Sequence, residues 1–374
     1  MLDAKCKTGT LSNIRTLCLS LSSSKLFYSI PCHVKCKEKK IHCQEGIQVI
    51  ANFGFFKIIY HIRTMLYRQL GATGLDVSIL SFGASSLGGV FHDIDEGRAI
   101  EAVYAAIDSG INFIDVSPYY GFTKAETVLG KALKHIDRKS YYLSTKVGRY
   151  GKDGVKTWDY SGKRAVRSVE ESMDRLNIEY IDLINCHDIE FSDLNQIIQE
   201  TLPALHEMKN KGVVGHVGIT GLPLDQLKYL VEKAPKGHIE TILNFCHYCI
   251  NDDALADDTE FYHGNNVGII NASPLSMGLL SERGAPAWHP ASNAIKNACK
   301  KAADHCKSKD YPIEKLAIQY AVNHPYIATT LVSTSNPDNI IKNARWTEEA
   351  INKQLLAEVQ EILKPIYRET WENS

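Results

Sequence analysis

Residues 110–150 read GINFIDVSPYYGFTKAETVLGKALKHIDRKSYYLSTKVGRY. Two short runs rich in β-branched and aromatic residues, INFIDVSP and YYLSTKV, flank KAETVLGKALKHI, whose apolar residues recur at three- and four-residue spacing. Both runs are apolar on both faces and are joined through a helix rather than a tight turn. They therefore pair in parallel, with each face of the sheet covered.

The same alternation starts near Val77 and continues through strand-like segments VSILSFGAS, INFIDVSP, YYLSTKV, YIDLINCHD, VVGHVGIT, TILNFCHY, VGIINASPL and ATTLVSTS. Helical periods lie between or after them, in EGRAIEAVYAAIDSG, KAETVLGKALKHI, GKRAVRSVEESMDRLN, LNQIIQETLPALHEMKNKG, LDQLKYLVEKA, a weaker stretch at 253–263, SNAIKNACKKAADHCKS with IEKLAIQYAVNH, and PDNIIKNARWTEEA. Eight such units match a (β/α)8 TIM barrel, in which functional residues sit at the C-terminal ends of the strands. A doubly wound sheet would want G-x-G-x-x-G after its first strand, and SFGASSLGG does not supply it. The segment MLYRQLGATGLDVS, with Gly71 and Gly74 at turn positions, reads as a short hairpin closing the bottom of the barrel, and a helix around Ile351–Ile366 reads as outer covering. The domain boundaries expected are an extension over 1–64 and the barrel over 65–374.

The formal net charge of −1 gives no overall field to recruit nucleic acid or an anionic membrane. The charge is uneven, however. Residues 1–64 hold ten Lys and Arg against three Asp and Glu, a net of +7, which leaves −8 for the rest. With Ser22, Ser23 and Ser24 in a row, clustered Lys35, Lys37, Lys39 and Lys40, and no sustained period, this piece reads as a disordered extension. Translated upstream sequence, an organellar targeting segment and a module of its own stay open for it, with a cytoplasmic protein as the default. The ten cysteines are too dilute for a disulfide framework and read as reduced thiols. Cys32, Cys36 and Cys43 with His33 and His42 fit no common zinc spacing, so no metal is expected. Apolar stretches are too short to cross a bilayer, which takes about 20 residues. No coiled-coil heptads appear, and oligomeric state is left open between monomer and weak dimer.

Four chemically different residues stand at or just after the strand ends: Asp115 and Tyr120 after the second, Lys146 at the third and His187 at the fourth. A tyrosine is a poor acid or base near neutrality, its free pKa being about 10, but a neighbouring ammonium favours the phenolate. Lys146 would supply that charge, Asp115 would hold it in place, and His187 would hydrogen-bond the oxygen that gains or loses the proton. The set suits proton transfer coupled to hydride transfer at a carbonyl. Each residue alone has a plain structural alternative: a local cap, a loop tyrosine beside Tyr119, a solvated lysine, or a histidine outdone by Asp188. Their joint placement is what makes a site of them.

F-G-A at Phe82–Ala84, the run Gly110–Gly121, T-K at Thr145–Lys146, the histidine of C-H-D, and SPLSMGLL at Ser273–Leu280 together resemble the aldo-keto reductase superfamily across residues 66–345. Within it, CHDIEF, GITGLPL, CHY and WHPAS look like a plant branch of sugar dehydrogenases. The resemblance implies oxidation of a small-molecule sugar, L-galactose, at C1 to L-galactono-1,4-lactone on the route to ascorbate, with hydride passing to NAD and Tyr120 as general base. It further implies that Gly83, Thr220, Asn244, Ser273, Leu275, Ser333, Ser335, Asn339 and Asn343 contact the cofactor and that Tyr248 stacks on the nicotinamide. Thr220-Gly221 and Asn244 stand where many members carry Ser-Asn and Gln, which leaves the carboxamide contacts open. Ser333 and Asn339 stand where NADP-preferring members carry a lysine and an arginine for the 2′-phosphate, so NAD is favoured, with Lys342 the nearby cation that keeps NADP in view. His247 and Trp288 are candidates to face the sugar, with core packing for His247 and Cys246, and mouth covering for Trp288 beside His289, as the alternatives. Two other functions remain: an NADPH-dependent reductase of broad aldehyde or ketone specificity, and a nicotinamide-sensing barrel like those that serve as channel subunits.

Overall fold

The computed structural model describes residues 16–19, 48–53, 56–61, 65–89 and 93–371. The chain divides into two units, Met1–Leu66 and Tyr67–Ser374. In the first, a strand at Thr16–Leu19 pairs in parallel with Gln48–Phe53, which pairs antiparallel with Phe56–His61. The remainder of residues 1–64, and with it the targeting and zinc readings, lies outside the described residues.

The second unit is a closed barrel of eight parallel strands in chain order: β1 (Leu80–Gly83), β2 (Phe113–Asp115), β3 (Tyr142–Val147), β4 (Ile181–Cys186), β5 (Val214–Gly221), β6 (Thr241–Phe245), β7 (Gly268–Ala272) and β8 (Ile327–Ser333). Around it run α1 (Glu96–Asp108), α2 (Lys124–Leu133), α3 (Gly162–Leu176), α4 (Leu202–Asn210), α5 (Leu224–Lys233), α6 (Thr259–Gly264), α7 (Asn293–Ser308), α8 (Ile313–Ala321), α9 (Pro337–Thr347) and α10 (Lys353–Leu363). The segments whose alternating periods indicated strands and helices thus form them. One helical period is interrupted: LNQIIQETLPALHEMKNKG has a π turn at Ile197–Thr201 before α4. Pro203 lacks the N–H and crowds the preceding turn, so the regular ladder restarts there.

Successive strand residues face opposite ways, which divides the core into two layers. Phe113, Leu183, Leu243, Ile270, Ala328 and Leu331 point into the lower barrel and pack with Leu70 and Val77. Their neighbours Ile184, Val217, Ile219, Ile242 and Ile269 point outward against Leu202, Leu205, Leu227 and Leu230 of the helices. The expected hairpin is present, Tyr67–Gln69 against Asp76–Ser78. Gly71 in its turn has φ +57, and a Cβ there would lie 2.3 Å from the Gly268 nitrogen at the start of β7. Only glycine permits so close an approach. Arg68 donates to the carbonyls of Val322, His324 and Ile327 at 2.7–2.9 Å, tying the hairpin to the end of α8 and the start of β8.

Outside the barrel mouth, Glu126 on α2 is fully buried and accepts hydrogen bonds from Thr145 Oγ1 on β3 (2.7 Å) and Arg175 Nε on α3 (2.6 Å), tying two helices to the strand that carries Lys146. At the other end, Glu240 accepts from His216 Nδ1 (2.7 Å), Lys209 Nζ (2.6 Å) and the Val217 N–H (3.1 Å). Burial would raise the Glu240 carboxyl, but those hydrogen bonds outweigh it and hold the group down at about 2. A carboxyl held below its unfolded value of about 4.3 stabilises the fold above that pH, and the contribution is lost as pH falls toward about 2. Glu240→Gln is therefore expected to melt below wild type at pH 7, with the gap narrowing once pH drops below 4. A gap unchanged across that range in thermal unfolding would contradict the assignment.

Among the described residues, Cys186, Cys246, Cys249, Cys299 and Cys306 are free and buried. No helix among the described residues is long and apolar enough to cross a membrane.

Candidate active site

Asp115 is the last residue of β2 and faces inward, two positions after Phe113. Lys146 faces inward from β3 and is 1% exposed. Its ammonium is bound to the Asp115 carboxylate and donates to the Val116 carbonyl at 2.9 Å. The other oxygen of Asp115 accepts from Ser144 Oγ at 2.7 Å, and Ser144 in turn accepts from Asn185 Nδ2 at 2.9 Å. A lysine drawn into an apolar barrel would lose its proton, but Asp115 and Tyr120 outweigh the burial and hold Lys146 above the ordinary lysine range.

Tyr120 enters from the loop after β2. A close backbone crossing fixes that loop: a Cβ on Gly121 (φ +60) would lie 2.2 Å from the Gly88 oxygen, and one on Gly88 would lie 2.7 Å from the Tyr120 oxygen. The Tyr120 ring is thereby held with its centroid 4.9 Å from Lys146 Nζ and 5.7 Å from the centroid of His187. Burial pushes the phenol above the ordinary tyrosine range, while Lys146 pulls it down, and the charges of Asp115 and Asp188 add to the rise. The expectation that Lys146 brings Tyr120 toward neutrality is thus met in the sign of the lysine's effect but not in the net: the resting phenol is protonated.

His187 follows β4 and faces inward. Its Nδ1 pairs with Ser117 Oγ at 3.0 Å, and its Nε2 lies 3.6 Å from Asp188 Oδ2. Asp188 binds Arg149, whose guanidinium sits 4.0 Å from the Tyr119 ring, 4.2 Å from Trp158 and 4.7 Å from Phe191. Ser117, Arg149, Asn185 and this aromatic wall were not singled out from the sequence. The one available signal was Arg149 itself, a charged residue three beyond Lys146 in STKVGRY.

The four residues read from the strand ends are brought together. The remaining candidates divide. Thr220 is engaged by Asp188, accepting its N–H at 2.8 Å and donating to its carboxylate at 3.1 Å. Asn244 donates to the carbonyls of Gly221 and Leu222, both at 2.9 Å, and its Oδ1 is buried without a partner. Tyr248 departs from the expected stacking role. Its ring stacks on Tyr320 (5.2 Å, 19°), meets His324 edge-on and packs with Ile269 and Ile327 in the layer between strands and helices, away from the barrel interior. His247 is pinned by Asp252 through Nδ1 at 2.8 Å, while Trp288 is 51% exposed and lies parallel to His289. Ser333 Oγ accepts from Ser85 Oγ (2.8 Å) and the Ser86 N–H (2.9 Å), and Gly83 packs on Ser333. Ser273, at φ +57, and Leu275 turn the chain after β7, Ser335 follows β8, and Asn339 and Asn343 lie on α9. Lys342 reaches the Trp346 ring (5.1 Å), and Arg98, missed in the sequence, is bonded to Asn336 and Asp338 at the start of α9.

A parallel (β/α)8 barrel whose strand ends present an ion-paired lysine, a tyrosine against it and a neutral histidine beside both defines a carbonyl–alcohol oxidoreductase barrel. The Aldo/keto reductase family pattern matches residues 79–364, and the chain belongs to that family, whose members are oxidoreductases that bind a nicotinamide cofactor and act on small molecules. The chain is 45% identical over 310 residues to the L-galactose dehydrogenase of Arabidopsis thaliana, covering 81% of this chain and 96% of that protein. It is 32% identical over 259 residues to the D-arabinose 1-dehydrogenase of Saccharomyces cerevisiae, covering 66% and 76%. Among solved structures, the aldo-keto reductase AKR11C1 of Bacillus halodurans in its holo form superposes with a TM-score of 0.68 at 28% identity, covering 83% of this chain and 99% of the other. The residues fit a nicotinamide ring with its carboxamide: Asn244 Oδ1 is a buried acceptor lacking a donor, which the amide N–H groups of a carboxamide supply.

Proposed function

We propose that the protein oxidises L-galactose at C1 to L-galactono-1,4-lactone with NAD, in residues 65–374. The observation that carries the chemistry is the contact chain Asp115–Lys146–Tyr120–His187 at one end of the barrel. Tyr120 takes the proton of the C1 hydroxyl, Lys146 stabilises the phenolate that must form, Asp115 keeps Lys146 charged and aimed, and His187 orients the sugar oxygen. Asn244, Ser273, Leu275, Ser333, Ser335, Asn339 and Asn343 would hold the cofactor, which would supply the hydride acceptor. What supports L-galactose is the 45% identity to a dehydrogenase of that sugar. What supports NAD is the charge around the start of α9. Ser333 and Asn339 are uncharged, Arg98 is already paired with Asp338, and a 2′-phosphate would meet that carboxylate.

Initial rates with NAD and NADP on L-galactose, L-fucose, D-arabinose and a simple aldehyde test the reading, using the full chain and a chain starting at Met65. Fastest NAD reduction with L-galactose, equal in both proteins, is expected. Aldehyde reduction driven only by NADPH would replace it with a broad reductase, and cofactor binding without turnover would replace it with a sensor.

A further inference from the structure

His187 has a second, unassigned shell of polar groups with a definite charge logic. Its Nε2 lies 3.6 Å from a carboxylate oxygen of Asp188. A carboxylate that close stabilises an imidazolium. A protonated His187 would only donate, and would add a second buried cation beside Lys146. The structure removes that hazard at Asp188. One oxygen, Oδ2, is bound by Arg149, and the other accepts from Thr220 Oγ1 at 3.1 Å. Both members of the ion pair are nearly buried, with side chains 6% and 8% exposed. Arg149 is itself held by the faces of Tyr119, Trp158 and Phe191, so its position does not depend on Asp188 alone. The backbone is fixed as well: Asp188 takes φ +45, and the Tyr160 hydroxyl donates to the carbonyls of His187 (2.8 Å) and Asp188 (3.1 Å). On the far side of the ring, Ser117 Oγ has already accepted the Tyr119 N–H at 3.1 Å and pairs with Nδ1. The other ring nitrogen, Nε2, is the one that faces Asp188.

We propose that Arg149 is a positioning residue that acts through His187: by neutralising Asp188 it keeps the imidazole uncharged, a neutral hydrogen-bonding partner for the sugar oxygen. The proposal rests on the role given to His187 above. The groups facing His187 are Lys146, Asp188 and Arg149, with Tyr119, Tyr120 and Ser117 as its uncharged neighbours. Burial pushes the imidazole down to about 3, with Lys146 and Arg149 acting the same way and Asp188 opposing them.

The test follows the ring nitrogens of His187 by NMR against pH in full-length protein labelled with ¹⁵N-histidine, the signal assigned by its loss in His187→Gln. In wild type His187 stays neutral down to pH 5. In Arg149→Met its protonation is expected to move up by about one to three pH units. In Arg149→Met/Asp188→Asn, where no charge is left to cancel, it is expected to return to the wild-type behaviour. On the sugar, Arg149→Met gains an acidic limb in kcat/KM, with kcat falling more than KM rises, and the double variant loses that limb. An unmoved His187 in Arg149→Met, or one that stays raised in the double variant, overturns the proposal. If Arg149→Met does not fold, Arg149→Lys keeps the charge while losing the fork, and a raised His187 there overturns it equally. Failure of L-galactose as a substrate alters the rates and leaves the titration untouched, so the two readings fail separately.

Discussion

Tyr120→Phe is expected to lower sugar oxidation by about 10²- to 10⁴-fold while leaving the affinity for NAD within a few-fold of wild type. The ring stays, so its contacts with Lys146 and His187 and the Gly88–Gly121 crossing that holds its loop are preserved. What is lost is the oxygen that takes the proton. Wild-type oxidation is also expected to accelerate with rising pH: burial holds the phenol above its ordinary range, so the phenolate is the minor form at neutrality and its fraction grows as pH increases. Tyr120→Phe should flatten that rise. Stopped-flow turnover and NAD titration by fluorescence check both parts. Weakened NAD binding with unchanged turnover per bound cofactor would assign Tyr120 to the cofactor and remove it from the chemistry.

Lys146→Met is expected to damage both turnover and the fold. Lys146 is 1% exposed and Asp115 3%, and removing one partner leaves the other as an uncompensated charge, a loss of about 3–5 kcal/mol. Ser144 still donates to Asp115 and softens the loss without cancelling it. The double variant Lys146→Met/Asp115→Asn should recover most of the stability, since the buried charge is gone, yet none of the turnover, since nothing remains to stabilise the Tyr120 phenolate. Denaturant unfolding beside initial rates separates the two effects. Recovery of turnover in the double variant would show that Lys146 acts only as a structural counter-ion.

Much of the barrel is legible in one dimension because its rules are local. INFIDVSP and YYLSTKV declare strands through apolar character on both faces, and KAETVLGKALKHI declares a helix through its spacing, whatever lies around them. Asp115, Lys146 and His187 could be read as one site because parallel strands place all their C-terminal ends at one face. Tyr248 shows where such reasoning stops. Cys246 takes φ +68, so the chain leaves the pleat just after β6, and the tyrosine goes where Tyr320 and His324 offer a stacked and an edge-on contact. Thr220, which the resemblance expects at the cofactor, hydrogen-bonds Asp188, a partner from a different strand end that no local pattern in the sequence links to it.

The sequence by itself determined the eight-unit parallel barrel, the hairpin beneath it and the four residues at its strand ends, because hydrophobic period and strand direction are properties of contiguous residues. Only the tertiary structure decided how those four are tuned. Burial against Lys146 settles the acidity of Tyr120, and the cancellation of Asp188 by an arginine boxed between Tyr119, Trp158 and Phe191 settles the charge beside His187. Both depend on distances of a few ångströms between residues far apart in the chain, where a low dielectric makes each charge count.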